Sequence, residues 1–118
     1  MSALNLTRPE PSEAVVLSAV RKALTLHRAV AWVERLNSGA GKLQYRDGEQ
    51  SQFLRFGWRG APDLIGQLRD GRMLAVEVKR PSGRVRPEQA QFLETVREHG
   101  GCGFVARGVD DVWRELSG

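Results

Sequence analysis

One seven-residue segment, residues 73–79 (MLAVEVK), restricts the possible folds more than any other part of the chain. Its aliphatic residues favour a β-strand, and side chains alternate between the two faces of a strand. The leucine and the two valines therefore share one face, which suits a hydrophobic core. Glu77 and Lys79 share the other face, and such polar groups are costly to bury unless they are paired or bound to a metal. The strand therefore ends either in an ordinary surface ion pair or in a functional site.

The preceding predicted strand, residues 63–68, begins with a third polar candidate, Asp63. An Asp-Gly dipeptide at residues 70–71 stands between two apolar runs and predicts a hairpin that pairs the two strands. Asp63 would then lie level with the end of the second strand, close to Glu77.

The length of the hairpin loop decides which side of the sheet Asp63 faces, because a shift of one residue moves a side chain to the other face. A two-residue loop would pair Asp63 with Val78, on the wrong face. A three-residue loop, residues 70–72, would pair it with Lys79, on the same face as Glu77. We therefore predict a three-residue loop, or a bend at the preceding proline, and two converging carboxylates.

Two carboxylates at one point offer the hard oxygen ligands that suit Mg²⁺, which also takes waters and phosphate oxygens of a substrate. Such an ion lowers the pKa of a bound water and neutralises charge on a phosphodiester. Lys79 beside them is placed to orient the attacking hydroxide or to stabilise negative charge. We interpret Asp63, Glu77 and Lys79 as catalytic residues of phosphodiester hydrolysis.

The motif Pro62-Asp63, followed after a gap by Glu77-Val78-Lys79, resembles the signature of the PD-(D/E)XK nucleases. The surrounding sequence is more specific and resembles the VRR-NUC family (virus-type replication-repair nucleases), in particular its stand-alone, phage-like members. The segments that carry this resemblance, from about Glu13 to Leu116, are residues 60–66 (GAPDLIG), Glu77-Val78-Lys79, Pro87-Glu88-Gln89 with Phe92-Leu93, Asn37-Ser38-Gly39 and Gly100-Gly101.

The resemblance implies a role for each matching residue. Asp63 and Glu77 would bind Mg²⁺, with Mn²⁺ as a substitute, and the Val78 carbonyl would be a further ligand. Glu13, on the first helix, would be the upstream acidic residue of the metal site, although an acid in a first turn is favoured by the helix dipole anyway. Lys79 would be the catalytic lysine.

Gln89 would complete the catalytic set as the helical glutamine near the site. Its neighbour Gln91 is a rival, and residues two apart on a helix do not share a face. We therefore expect only one of the two to point at the site, and the resemblance favours Gln89.

The resemblance also implies a structure-selective endonuclease, most specifically a Holliday junction resolvase that acts as a homodimer on branched DNA. A two-fold dimer supplies two active sites for the two cuts that a four-way junction needs. A flap- or single-strand-selective nuclease is the alternative enzyme. A non-catalytic nucleic-acid-binding module is the alternative of another class.

The pattern of apolar residues and turn signals predicts an α/β fold, a mixed β-sheet flanked by helices in the order α-β-β-β-β-α-β-α. Residues 1–11 are expected to be a flexible arm, and residues 12–118 a single domain. The predicted elements are a helix capped by Ser12 that ends near His27, strands at 30–36, 52–56, 63–68 and 73–79, a helix from Pro87 to Gly100, a strand at 104–106 and a helix at 109–116.

Basic residues outnumber acidic ones by 18 to 14, which gives a net charge of +4 and fits either a polyanionic partner or a merely soluble surface. Several basic and polar residues fall in loops around the proposed site, where they would grip phosphates or simply keep the surface soluble. The residues predicted to bind nucleic acid are Asn37, Ser38, Lys42, Arg55, Arg59, Arg80, Arg84 and Arg86.

The sequence has one cysteine, Cys102, so an intrachain disulfide is excluded, and its two histidines are too few for a cysteine/histidine metal cluster. Cys102 lies in an apolar segment that predicts a buried strand. The N-terminus lacks the pattern of a signal peptide, and no apolar run is long enough to span a membrane. We therefore expect a protein of a reducing compartment, the cytoplasm, or the host cytoplasm if phage-encoded, with no small-molecule substrate.

Overall fold

The computed structural model describes residues 9–36, 40–42, 53–55 and 59–117, with the backbone alone in 40–42 and 53–55. The predicted order of elements is confirmed, with one further short strand, β2. Most of the expected N-terminal arm lies outside the described residues, so the division at residue 12 stays a prediction. The elements are α1 (Glu13–Leu26), β1 (Val30–Arg35), β2 (Ala40–Lys42), β3 (Phe53–Arg55), β4 (Leu64–Leu68), β5 (Met73–Val78), α2 (Pro87–Glu98), β6 (Cys102–Ala106) and α3 (Val109–Leu116).

The main sheet has four strands in the order β1-β4-β5-β6. The β1–β4 and β4–β5 pairs are antiparallel, and the β5–β6 pair is parallel because α2 returns the chain between them. Strands β2 and β3 form a separate antiparallel pair. The predicted mixed sheet is therefore confirmed, and β5, which carries Glu77, lies inside it.

Helices cover both faces of β5, which explains why its sequence is apolar almost throughout. Leu74, Val76 and Val78 are buried in the main core with α1 and α3, as their alternation predicts. Ala75 faces the other way and is buried against Leu93 and other residues of α2. The described helices include none long and apolar enough to cross a membrane.

Both helices next to the site begin where their sequences predict. Ser12 caps α1, and its hydroxyl oxygen accepts a hydrogen bond of 3.2 Å from the N–H of Val15. Pro87 occupies the first turn of α2, where a missing N–H carries no penalty. The charge of Glu13 raises the pKa of Glu77, and Gln89 donates a hydrogen bond to it. The start of each helix therefore lies near the carboxyl end of β5.

The hairpin between β4 and β5 has the predicted loop length, but the predicted loop residues, 70–72, are wrong by one position. The N–H of Leu68 donates to the carbonyl of Arg72 at 2.8 Å, so residues 69–71 form the loop. Gly71 takes the left-handed conformation, with φ of +98°, that the third position of such a loop requires. Continued to the end of the strand, this register sets Asp63 opposite Glu77, not Lys79, and on the same face.

Candidate active site

Asp63 lies just before β4, and hydrogen bonds hold both its backbone and its side chain. Its carbonyl accepts the N–H of Leu36 at 2.8 Å, and its Oδ2 accepts the N–H of Val78 at 2.8 Å. The N–H and C=O of one strand residue point toward the same neighbouring strand. The Val78 carbonyl therefore points to the side of β5 on which Asp63 lies, as a shared ligand set would need.

Glu77 is buried, with 3 % of its surface exposed. Its Oε2 lies 3.5 Å from Lys79 Nζ and accepts a hydrogen bond of 2.7 Å from Gln89 Nε2. Its Oε1 is also buried, and no hydrogen-bond donor reaches it from the described part of the chain. The Glu77–Lys79 pair is therefore no ordinary surface ion pair, and one buried carboxylate oxygen is left for a ligand.

The pKa of Glu77 is raised to about 7, mainly by burial and also by the negative charge of Asp63, against the charge and hydrogen bond of Lys79, which lower it. Burial also raises the pKa of Asp63, against the hydrogen bond from Val78, and the charge of Glu13 adds to the increase. The raised pKa values mean that the ionised carboxylates are poorly stabilised in this site and that a bound cation would stabilise them.

Gln89 reaches the site and Gln91 does not, as expected for residues two apart on a helix. The Gln89 Oε1 accepts the N–H of Arg86 at 2.9 Å while its Nε2 donates to Glu77. Gln91 Nε2 bonds instead to Thr95 Oγ1 at 3.3 Å and lines a separate groove beside α2.

Glu13 is the first residue of α1 and lines the same groove as Asp63. Its charge raises the pKa of both Asp63 and Glu77, after the larger effect of burial. Yet across the ranges that the structure describes, no three acidic, histidine or cysteine side chains form a group that could hold a metal by themselves. Glu13 is therefore a charged neighbour of the carboxylate pair, and its predicted role in the metal site stays a prediction.

Comparison with known proteins shows the family of this chain. The family model of the VRR-NUC domain matches residues 10–110. The chain belongs to the VRR-NUC family. This family indicates a nuclease of the PD-(D/E)XK type with DNA as its substrate, and it generally uses a divalent metal.

A solved structure titled "VRR_NUC domain protein" has the same fold, with a TM-score of 0.57 at 18% identity over 92% of this chain and 88% of that chain. No curated protein matches this chain.

The residues predicted to bind nucleic acid divide into three groups. Arg80, Arg84 and Arg86 are exposed on the connection from β5 to α2, directly after Lys79, and Arg80 Nε lies 3.5 Å from Glu10 Oε2. Arg59 lines the groove beside α2. The predictions for Asn37 and Ser38, and for the side chains of Lys42 and Arg55, lie outside the described residues.

Arg107 is a residue of the VRR-NUC domain that the sequence analysis missed. Its Nη1 donates to three backbone carbonyls of the connection after Lys79, those of Arg80 at 3.0 Å, Pro81 at 3.1 Å and Gly83 at 2.7 Å. The preceding carbonyl, of residue 106, accepts the N–H of Lys79 at 3.1 Å. The end of β6 thus holds the backbone at Lys79 and directly after it. The sequence does not indicate these contacts, because they join residues more than twenty positions apart.

Proposed function

We propose that this VRR-NUC domain hydrolyses DNA phosphodiester bonds with Mg²⁺, for which Mn²⁺ can substitute, and that Asp63, Glu77 and the Val78 carbonyl hold the ion. The observation that supports the proposal is the Glu77 Oε1 atom, which is buried and has no donor among the described residues. A corner lined by carboxylate and carbonyl oxygens fits a hard divalent cation. When bound, the ion would lower the pKa of a water and neutralise phosphate charge.

The remaining residues would act around that corner. Lys79 is mostly buried, with 11% of its side chain exposed, so its ammonium is desolvated and its charge is effective at short range. It would orient the attacking water and stabilise the charge that grows on the phosphate. Gln89 would be a positioning residue that fixes the Glu77 carboxylate. Glu13 would add negative charge at the rim of the site, which favours the cation.

A cleavage assay tests the proposal. We expect purified protein to cut labelled DNA with Mg²⁺ or Mn²⁺ and to stop when EDTA is added. Asp63→Ala removes one ligand and abolishes cutting, while Asp70→Ala removes the same charge from the hairpin loop at the other end of β4 and leaves the rate unchanged. Folded wild-type protein that binds DNA and cuts none of it with Mn²⁺ would be a binding module, and the proposal would be wrong.

We further propose that the substrate is branched DNA, most specifically a four-way junction, and that the enzyme acts as a homodimer. The support for this finer proposal is the resemblance to stand-alone family members and the two-fold symmetry of paired cuts. Rates on a junction, a flap and a plain duplex would separate a resolvase from a flap- or single-strand-selective nuclease. A monomer at micromolar concentration in sedimentation would contradict the dimer and leave the nuclease proposal intact.

A further inference from the structure

A groove of about 660 Å³ begins at Asp63 and runs along α1. Two neighbouring rows of α1 side chains at four-residue spacing line it, one beginning at Glu13 and the other at Ala14. Arg35, the last residue of the edge strand β1, lines it near the Asp63 end. The groove is thus continuous with the candidate active site and lies outside the basic loops that the sequence analysis identified.

The charges in this groove are arranged in order along its length. The carboxylates of Glu13 and Asp63 lie at one end, where the metal would bind. Arg21 and Lys22 lie farther along, about 12 to 14 Å from Glu13 at the rise of an α-helix. The carboxylates would hold the metal at the reacting phosphate, and the cations along the wall would bind the following phosphates of the same strand.

We propose that the α1 groove binds the backbone of the DNA strand that is cut, with Arg21, Lys22 and Arg35 as its phosphate contacts. This inference rests on the proposed function, since it takes the reacting phosphate to lie at Asp63. Lys22 lies about 14 Å from Glu13 along the helix, so it would contact a phosphate of the same strand a few nucleotides from the reacting one.

The uncharged lining also fits a nucleic-acid strand better than a second copy of the basic chain. The Ser18 hydroxyl is a further donor for a phosphate oxygen, as such side chains commonly are in DNA complexes. Leu17 and Leu26 supply apolar wall for sugars, and Leu26 is 71% exposed. A second copy docked on this groove about a two-fold axis would set Arg21, Lys22 and Arg35 against their own counterparts, whereas DNA would be attracted to them.

Glu34 pairs with Arg21 and should lower the affinity of the groove for DNA, so its removal offers a test by gain of affinity. Arg21 Nη2 lies 3.3 Å from Glu34 Oε1, and the two side chains are 44% and 69% exposed. An exposed pair of this kind is weak, so Arg21 can turn to a phosphate once the carboxylate is removed. Glu34→Gln should therefore tighten DNA binding.

The test is fluorescence anisotropy of a labelled single-stranded oligodeoxynucleotide over a series of salt concentrations, in an Asp63→Asn background that does not cut. Lys22→Ala and Arg21→Ala should each weaken binding about 3- to 10-fold and reduce the slope of log K against log salt by about 0.7. Glu34→Gln should tighten binding about 2- to 5-fold at low salt. Arg72→Ala is the control, because Arg72 is exposed, lines the groove beside α2 and carries the same charge.

Unchanged affinity and slope in Lys22→Ala would overturn the groove proposal, as would a loss of self-association in that variant in sedimentation. The two proposals fail separately, because this measurement needs no cleavage. Binding that depends on Lys22 in a protein that never cuts would refute the nuclease and keep the groove. A nuclease whose KM for DNA is the same with and without Lys22 would keep the first proposal and refute the second.

Discussion

Gln89 Nε2 lies 2.7 Å from Glu77 Oε2, and the other end of the same amide accepts the backbone N–H of Arg86. Because one end must donate and the other must accept, the amide has a single orientation that satisfies both partners. The first turn of α2 therefore holds the carboxylate that the catalytic proposal depends on.

Gln89→Leu removes this hydrogen bond while leaving a side chain of similar size. We expect kcat to fall about 10- to 100-fold, which is typical when an outer partner of a metal ligand is lost, with KM for DNA unchanged. Gln91→Leu, two residues along the same helix, should leave both constants unchanged. Steady-state kinetics with Mn²⁺ measure them, and equal effects of the two substitutions would exclude a positioning role for Gln89.

Glu77→Gln should abolish cleavage and yet stabilise the metal-free protein at alkaline pH. The pKa of Glu77 is about 7 in the folded protein, above its ordinary value of 4.5. The folded state therefore binds more protons than the unfolded state between these values, so the contribution of Glu77 to stability is fully present below pH 4.5 and is lost as the pH rises through 7. Urea unfolding in EDTA should show a gain of roughly 2 kcal/mol for the variant at pH 8 and little difference at pH 4.

The control for this measurement is Glu98→Gln on the exposed end of α2. It should change stability at neither pH by more than about 0.5 kcal/mol. A loss of stability in Glu77→Gln at pH 8 would show that the carboxylate is structural and not a poorly stabilised charge at a binding site.

Divalent metal should raise the melting temperature of the wild-type protein. An ion that binds only the folded state at 100 times its Kd adds about 2.7 kcal/mol to the free energy of unfolding. The increase should disappear in Asp63→Asn, which still accepts the Val78 N–H through its amide oxygen. Asp70→Asn, in the hairpin loop, should respond to Mg²⁺ and Mn²⁺ as the wild type does. An equal increase in all three proteins would place the ion elsewhere.

Arg107→Ala should destabilise the protein by about 1–3 kcal/mol, because three carbonyls of the connection after Lys79 lose a charged donor. Cleavage should also slow, since that connection positions Lys79. Arg114→Ala is the matched control, as Arg114 is 62% exposed and pairs with a residue of its own helix. Thermal unfolding and initial rates measure both effects. A stable but slow Arg107→Ala would indicate contact with substrate, not support of the backbone.

Gly60→Ala and Gly71→Ala should differ although both glycines have positive φ, +78° and +98°. A Cβ at residue 71 meets no atom within 4 Å, so Gly71→Ala should lose about 1 kcal/mol and stay active. A Cβ at residue 60 would overlap the backbone carbonyl of Glu88, so the segment that leads to Asp63 must move. We expect a loss of about 3 kcal/mol and of cleavage. Equal effects in unfolding and activity assays would contradict this.

The positions of single residues on a strand could be predicted from the sequence, and the contacts between distant elements could not. Strong alternation in residues 73–79 identified Glu77 and Lys79, because burial and period are local properties of a strand. The predicted loop, residues 70–72, begins one residue too late. The same sequence fits a loop that begins at the Asp-Gly dipeptide and a three-residue loop that ends at Gly71. The contacts of Arg107 and the groove that Arg21 and Lys22 share with Asp63 could not be predicted, because they depend on which elements the fold packs together.

The loop of residues 69–71 begins about 20 Å from Asp63 at the spacing of an antiparallel strand, and it joins two strands whose register sets Glu77 opposite that carboxylate. Core packing fixes the faces of both strands, because Leu64 and Leu68 of β4 are buried in one cluster with Leu74, Val76 and Val78 of β5. A residue inserted at this exposed tip would therefore lengthen the loop and leave the two carboxylates on the same side of the sheet. The tip of the hairpin is thus a place where added residues would leave the acids where they are.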